Sequence, residues 1–281
     1  MNESQPKFTA VVLAADRGPD DPVARAAGAR CKSMAPIDGA PMVFRVLDAL
    51  AASTEIDART LCGPPQSIVE LEPELGARIR SGEVGWMENQ QTPSTSAYHV
   101  LQSLPEQTPV LLTTADHAML SPRIVDYFCA GARNTGCDVV AGVARHEAVT
   151  KAYPQTQRTA THLQDGSYCG CNLFAFLTPR ARRAADFWRQ VETQRKKPLR
   201  VIRVLGVMAV LRYLLGQLSL AEALERVSRR LGFKAGAVII PFPEAAIDVD
   251  SVKDWKLVEE IVKGQRTENR NAEVGMRNAE N

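Results

Sequence analysis

The stretch FTAVVLAADRGP at residues 8–19 decides the fold class of this chain. Residues 8–15 form a mostly apolar run that is typical of a buried strand. The polar loop that begins at Asp16 continues to Lys32, and a helical pattern starts at Met42. A strand, a polar loop and a helix in this order form one half of an α/β nucleotide site, because the strand end holds a loop whose N–H groups and cations can surround phosphates.

The loop does not contain the glycine patterns of the two best-known nucleotide sites. It matches neither the GxGxxG pattern of a dinucleotide-binding site nor the GxxxxGK[ST] pattern of a P-loop. Both of these sites are therefore disfavoured, and the loop indicates another kind of nucleotide site.

The composition is that of an ordinary globular protein. The chain has 281 residues, of which 45% are hydrophobic and 23% are charged. The 34 Lys and Arg residues nearly balance the 32 Asp and Glu residues, which argues against a nucleic-acid partner. The first residues lack the basic and then apolar pattern of a secretion signal, and the cysteines are irregularly spaced, so we expect reduced thiols in a cytoplasmic protein. The cysteines are Cys31, Cys62, Cys129, Cys137, Cys169 and Cys171.

Strand-like and helix-like patterns alternate along the chain. Strands are predicted at residues 8–15, 58–62, 84–88, 110–114, 137–143, 167–177 and 237–242, and helices at residues 42–52, 94–103, 122–133, 179–193 and 252–262. Continuous apolar strands separated by helices predict an α/β fold, with a mostly parallel sheet covered by helices on both faces. We predict one domain at residues 7–263 and a disordered polar tail at residues 264–281.

A basic and apolar segment interrupts this alternation. Residues 199–218 are long enough to cross a bilayer, but Arg200, Arg203 and Arg212 would be costly in lipid. We predict a helical insertion at about residues 195–232. It forms either a hairpin packed on the domain or on a second copy in a homodimer, or an element in peripheral contact with a membrane surface.

Two acidic motifs carry the candidate chemistry. Asp116 follows the predicted strand VLLTT, at the strand end where ligands of open α/β sheets bind, and it is suited to hold a hard cation. Asp250, in the motif IDVDSVKDW, can supply a second carboxylate, and Asp248 alternates with it. The alternatives are a loop acid at Asp116 and a helix cap formed by Asp250 with Ser251.

Three motifs in order resemble those of the MobA-like NTP transferases. LAADRG with the later CK resembles their LAAGxGxRM…K loop, TTADHAML resembles their DxPLL strand end, and IDVDSVKDW resembles their DxDTPEDL. The motifs together span about residues 8–262. This group contains molybdenum-cofactor guanylyltransferases and sugar- or alcohol-phosphate cytidylyltransferases.

The resemblance implies a three-layer, Rossmann-like nucleotidyltransferase fold, with the helical hairpin as an addition. It also implies an enzyme that uses Mg²⁺ to transfer CMP or GMP from an NTP, CTP or GTP, to a phosphorylated sugar or alcohol, with release of pyrophosphate. By position, it implies the following site residues: Lys32 and Arg17 in catalysis; Ala14, Ala15, Gly18, Lys32, Ser96 and Thr114 at the nucleotide; Gly170 and Asn172 at the acceptor; Asp116 and Asp250 at the metal.

A third acceptor residue comes from the segment KAYPQTQRT at residues 151–159. Arg158, with Lys151, is a candidate for binding the acceptor's phosphate, because a pair of cations suits a phosphate group. The alternative is a solvated loop.

The loop departs from the family pattern. Asp16 replaces the usual first glycine, and an insertion carries Asp20 and Asp21, which would repel a triphosphate if they faced it. Arg25 or Arg30 could then replace Arg17 as the loop's cation. Two alternatives to a nucleotidyltransferase therefore stay open, a nucleotide-sugar-dependent glycosyltransferase-like enzyme and a non-catalytic nucleotide-binding regulator.

Overall fold

The computed structural model describes residues 6–14, 20–192 and 207–279 of the chain. The strands in these ranges are β1 (Phe8–Leu13), β2 (Pro36–Ile37), β3 (Ala40–Pro41), β4 (Ile56–Cys62), β5 (Gly85–Met87), β6 (Val110–Thr114), β7 (Val139–Arg145), β8 (Thr161–Leu163), β9 (Gly166–Phe176) and β10 (Ala235–Ile239). The helices are α1 (Pro22–Ala27), α2 (Met42–Ala51), α3 (Gln66–Val69), α4 (Pro73–Arg80), α5 (Pro93–Ser103), α6 (Pro122–Asn134), α7 (His146–Ala152), α8 (Arg182–Glu192), α9 (Val207–Leu214), α10 (Leu220–Leu231) and α11 (Val252–Ala279). Short 3-10 turns lie at Lys32–Met34, Pro179–Ala181 and Pro243–Ala246.

Among the described strands, eight form one mixed sheet in the order β10-β7-β9-β6-β1-β4-β5, with β8 paired to β9. Strand β1 lies in the middle and is parallel to β4 and β6. Strand β9 runs antiparallel between β6 and β7, and β10 is parallel to β7. The mostly parallel sheet predicted from the sequence is therefore confirmed, and its parallel strands all end at one edge, where α/β folds bind ligands.

The central strand packs helices on both of its faces because successive side chains point in opposite directions. Phe8, Ala10 and Val12 belong to the core that α2 and α6 cover, whereas Val11 and Leu13 belong to the core under α5 and α8. All five of these side chains are buried. An apolar run without alternation is what a strand buried on both faces requires, and it produces the predicted three-layer arrangement.

A close approach of two loops at the ligand edge requires glycine at position 63. Gly63 has a φ of +88°, and its N–H donates to the carbonyl of Met87 at 2.8 Å. A Cβ at this position would lie 2.6 Å from the carbonyl oxygen of Ala14 and 3.2 Å from Cβ of Asn89. An alanine would therefore meet both backbone strain and a steric clash.

We expect Gly63→Ala to lower the free energy of unfolding by about 3 kcal/mol, the sum of left-handed backbone strain and overpacking. Gly82→Ala is the matched control, because Gly82 has a φ of +77° but nothing within 4 Å of an added Cβ. The control should lose only about 1 kcal/mol. Urea unfolding measures both changes, and equal losses in the two variants would contradict the close approach.

Helix α10 of the predicted insertion packs on one face of the sheet. The apolar side of α10 lies over β10, and an apolar cavity of about 290 Å³ separates Leu224 and Val227 of this helix from Phe174 and Trp188. Residues 195–206 of the predicted insertion lie outside the described residues. No helix within the described ranges is both long and apolar enough to cross a bilayer.

The last helix is longer than the sequence predicted. Helix α11 runs to Ala279, so residues 264–279 are helical where a disordered tail was predicted. The stretch contains no proline that would stop the helix, and Arg266 near its start forms an ion pair with Asp38 at 3.1 Å.

Candidate functional site

The ligand edge of the sheet brings two distant acidic segments together. Asp116 follows β6, and the N–H of Ala115 donates to the carbonyl of Leu13 in β1 at 2.9 Å. The N–H of Val249 donates to the carbonyl of Asp116 itself at 3.0 Å. This backbone hydrogen bond places the segment before α11 along the end of β6, and it brings Asp250 beside Asp116.

Lys32 lies between these two carboxylates. It is the first residue of the 3-10 turn Lys32–Met34, in which the N–H of Ala35 donates back to the Lys32 carbonyl at 3.1 Å. The Lys32 Nζ atom lies 2.6 Å from Oδ2 of Asp116 and 3.6 Å from Oδ1 of Asp250. The structure therefore brings together the three residues to which the sequence assigned the catalytic cation and the metal ligands.

Electrostatics keep the Lys32 ammonium charged. Burial lowers the pKa of Lys32, but the hydrogen bond and charge of Asp116 and the charge of Asp250 outweigh burial, so the pKa lies above its usual value. The pKa of Asp250 is also raised, by burial and by the charge of Asp248, against the opposing charge of Lys32. The site thus contains a lysine that stays protonated, and it faces carboxylates whose negative charges repel one another.

The donor set fits a hard divalent cation that also binds phosphate. Oδ1 of Asp116 is buried and has no hydrogen-bond partner, although Oδ2 is paired with Lys32. Within the described ranges, no group of three or more His, Cys, Asp or Glu side chains could hold a metal ion. Mg²⁺ characteristically uses one or two carboxylates and takes its other ligands from phosphates and water, so Asp116 and Asp250 suit it.

The described residues predicted at the nucleotide lie at the same edge. The N–H of Ala14 donates to the carbonyl of Cys62 at 2.8 Å, so Ala14 fixes the loop origin through its backbone. Ser96 is buried at the start of α5, and its Oγ accepts a hydrogen bond from the N–H of Gln90 at 2.8 Å. Ser96 therefore orders the loop before α5, whereas Oγ1 of Thr114 is buried without a hydrogen-bond partner.

Part of the predicted phosphate loop lies outside the described residues, namely Ala15, Asp16, Arg17 and Gly18. Beyond them, the Asp21 carboxylate accepts hydrogen bonds from the N–H groups of Val23 at 2.9 Å and Ala24 at 3.3 Å. Asp21 thus caps α1. Arg30, a candidate for the loop's cation, forms an ion pair with Glu72 at 3.3 Å. Glu72 lies outside the acidic cluster formed by Asp116 and Asp250.

Two of the predicted acceptor residues, Arg158 and Asn172, are connected through a buried acid. Asp248 is buried and forms an ion pair with Arg158, and its Oδ2 accepts a hydrogen bond from Nδ2 of Asn172 at 2.5 Å. Gly170 is exposed, and an added Cβ would meet nothing within 4 Å. Lys151 is exposed in α7. The structure thus joins Arg158 to Asn172 through Asp248.

Comparison with known proteins shows the family of this chain. The sequence profile of the MobA-like NTP transferase domain matches residues 10–235, most of the chain. The chain belongs to the MobA-like NTP transferase family. No curated protein sequence matches it.

Solved structures show the same fold for this MobA-like NTP transferase. A hypothetical transferase from Thermus thermophilus is 28% identical, with a TM-score of 0.72, and the match covers 89% of this chain and 99% of that chain. A CMP:2-keto-3-deoxy-manno-octonic acid synthetase complexed with CTP is 12% identical (TM-score 0.54, covering 93% and 100%). A 4-diphosphocytidyl-2C-methyl-D-erythritol synthase from Anaerococcus prevotii is also 12% identical (TM-score 0.54, covering 92% and 96%). The last two comparisons concern the fold alone.

Sequence reasoning did not identify the central position of Asp248 in this MobA-like NTP transferase. Its alternation with Asp250 was the available signal, but the two acids contact different partners, Arg158 and Lys32. His117 is fully buried, and burial lowers its pKa to about 4 despite the charge of Asp116, so it is neutral at pH 7. A neutral, buried imidazole fits a core role better than acid–base catalysis.

Proposed function

We propose that this protein is a Mg²⁺-dependent nucleotidyltransferase that transfers CMP or GMP from an NTP to a phosphorylated sugar or alcohol and releases pyrophosphate. The observation that carries the proposal is the cluster of Lys32, Asp116 and Asp250 at the ligand edge of the sheet, beside the end of β1. Family membership supports the reaction class.

The chemistry needs charge and position more than proton transfer. An acceptor phosphate oxygen forms a bond to the α-phosphorus, and the bond from that phosphorus to the β-phosphate oxygen breaks. The attacking oxygen is already ionised at neutral pH, so no general base is required. The Lys32 ammonium, held protonated by its acidic neighbours, offsets the charge that develops on the leaving pyrophosphate.

Asp116 and Asp250 would hold the magnesium ion. When bound, Mg²⁺ supplies charge neutralisation at phosphate oxygens. The protein's part is to keep both carboxylates beside Lys32, and the hydrogen bond from the N–H of Val249 to the carbonyl of Asp116 supports this arrangement. Lys32 shares Asp116 with the metal site, and the incoming phosphates offer the ammonium a further anionic partner.

CTP is the preferred donor in this proposal. The solved synthetase of the same fold was complexed with CTP, and a second is named for a diphosphocytidyl product. GTP is the second candidate, because the family includes guanylyltransferases.

We expect CTP with Mg²⁺ to raise the thermal midpoint more than GTP, UTP or ATP, because a ligand that binds only the folded state stabilises it. At a ligand concentration one hundred times Kd, the gain is about 2.7 kcal/mol. A thermal-shift series with the four nucleotides measures it, with chelator in place of Mg²⁺ as control. A midpoint unchanged by all four nucleotides would contradict the proposal, and a larger GTP shift would reassign the donor.

Pyrophosphate release separates the proposal from its two alternatives. A transferase of this kind forms pyrophosphate from CTP only when a phosphorylated acceptor is added. A glycosyltransferase-like enzyme instead consumes a nucleotide sugar, and a regulator binds nucleotide without forming product. Lys32 favours the transferase, because a half-buried cation at the end of the phosphate loop suits a triphosphate.

A further inference from the structure

The carboxyl end of helix α9 exposes a cluster of large apolar side chains. Among the residues that the structure describes, eight large apolar side chains are exposed, and four of these lie within residues 211–215. They are Leu211, Tyr213, Leu214 and Leu215, with exposed fractions of 48%, 40%, 74% and 60%. We call these four residues the α9 tip. Single exposed apolar side chains are common on protein surfaces, but a group this dense marks a contact surface.

Polar contacts on either side of the two most exposed leucines hold the α9 tip in place. The guanidinium of Arg212 forms an ion pair with Glu222 of α10 and donates to the carbonyl of Gln217 at 2.8 Å. The N–H of Gln217 donates back to the carbonyl of Arg212 at 2.7 Å. The charge of Arg212 is thus directed to partners within the protein, while Leu214 and Leu215 face the solvent.

The loop that follows the α9 tip is fixed to the ligand edge of the sheet. The N–H of Gln164 donates to the carbonyl of Leu218 at 2.9 Å, and the N–H of Leu220 donates to Oδ1 of Asp165 at 3.0 Å. Gln164 and Asp165 form the turn between β8 and β9. Strand β9 runs antiparallel to β7, so this turn lies beyond the carboxyl end of β7. The loop is therefore anchored at the edge that holds the candidate site.

The sequence around the α9 tip is positively charged. Residues 193–206 directly precede α9 and lie outside the described residues, and their sequence contains five Lys or Arg residues and no Asp or Glu. Helix α9 itself contains one arginine and no acidic residue. An apolar cluster that follows a run of Lys and Arg is typical of a segment that binds the surface of an anionic bilayer.

A second copy of the chain suits the α9 tip less well than a bilayer does. Two copies would bring the same basic sequence together, and like charges repel one another. A stable interface between two proteins takes about 20–30 residues from each partner, whereas the α9 tip has four. A bilayer needs no matching surface, because its interior accepts apolar side chains and its anionic headgroups attract Lys and Arg.

We propose that the α9 tip docks on the surface of an anionic lipid bilayer, with Leu214 and Leu215 inserted at the boundary between headgroups and acyl chains. Because the following loop is anchored at the ligand edge, docking turns this edge of the sheet toward the bilayer. The inference goes beyond the proposed function and does not depend on it, since it names a partner surface and no step of the reaction.

Co-sedimentation of the full chain with vesicles tests the proposal. Vesicles of phosphatidylcholine mixed with phosphatidylglycerol are anionic, and vesicles of phosphatidylcholine alone are neutral. The protein should bind the anionic vesicles about tenfold more tightly, and added salt should weaken this binding because it screens the charges. Leu214→Ser combined with Leu215→Ser should lower the affinity for anionic vesicles about tenfold, because two apolar side chains lose their burial in lipid.

Leu71→Ser is the matched control. Leu71 is 54% exposed between α3 and α4, so its replacement should leave vesicle binding unchanged. Binding to neither kind of vesicle, equal binding to both, or parent-like binding by the double variant would each overturn the proposal.

Sedimentation without lipid reports the oligomeric state. A dimer that the double variant dissociates would assign the α9 tip to a second copy and overturn the proposal. Thermal midpoints report whether the variants fold, and Leu214→Ser alone decides if the double variant fails to fold. None of these measurements requires turnover, so absent pyrophosphate release would remove the proposed function and leave the docking surface to be judged separately.

Discussion

Lys32→Ala should abolish measurable turnover while the protein stays folded. The ammonium lies within 2.6 Å of Asp116 and 3.6 Å of Asp250, and removing it leaves two acids facing the negatively charged phosphates. Loss of one such charge-stabilising group typically costs on the order of 10²–10³ in rate. The measurement is pyrophosphate release from CTP with Mg²⁺ and glucose 1-phosphate or glycerol 3-phosphate.

Arg30→Ala is the matched control for this variant. Arg30 comes from the same loop, but it pairs with Glu72 outside the acidic cluster, so its removal should leave turnover within a few-fold of the parent. Equal rate losses in the two variants would show that the loop needs general positive charge and would remove the special role of Lys32. Parent-like activity of Lys32→Ala would do the same.

Asp116→Asn should cause a loss of similar size, on the order of 10²–10³ in rate. The substitution keeps the shape of the side chain and removes the charge that Mg²⁺ and Lys32 both require. The buried oxygen of Asp116 that has no partner makes this residue the stronger of the two proposed metal ligands. Pyrophosphate release measures the rate, and the Mg²⁺ dependence of the CTP-induced thermal shift should disappear.

Asp57→Asn serves as the comparison, because Asp57 is an exposed acid on β4. It should keep both the rate and the Mg²⁺ dependence. An Asp116→Asn protein that still needs Mg²⁺ for the CTP-induced shift would place the metal elsewhere in the site. The thermal midpoint without nucleotide shows whether either variant alters the fold.

Local patterns were sufficient for most elements of this fold. The apolar run that became β1 and the helix that begins at Met42 lie close to their predicted positions. Both depend on interactions along the chain, a continuous apolar run and a helical period. Direction was harder to predict: β9 is antiparallel, because the pairing of a strand depends on its neighbours in the sheet.

The same division applies to the candidate site. Lys32, Asp116 and Asp250 could be selected from the sequence because they follow strand ends and loops of a recognisable order. The connection of Arg158 and Asn172 through Asp248 could not be predicted, since these three residues come from separate segments that meet only after the sheet has formed.

The amino-acid sequence by itself determined the three-layer class, the family and the charged residues of the candidate site. Strand burial and motif order can be recognised from residues that are close together along the chain. The tertiary structure decided which acid faces which partner. The hydrogen bond from Val249 to Asp116 places Asp250 beside Lys32, while Asp248 turns toward Arg158. Contacts between distant segments depend on how the whole sheet and its loops pack, and no local pattern encodes them.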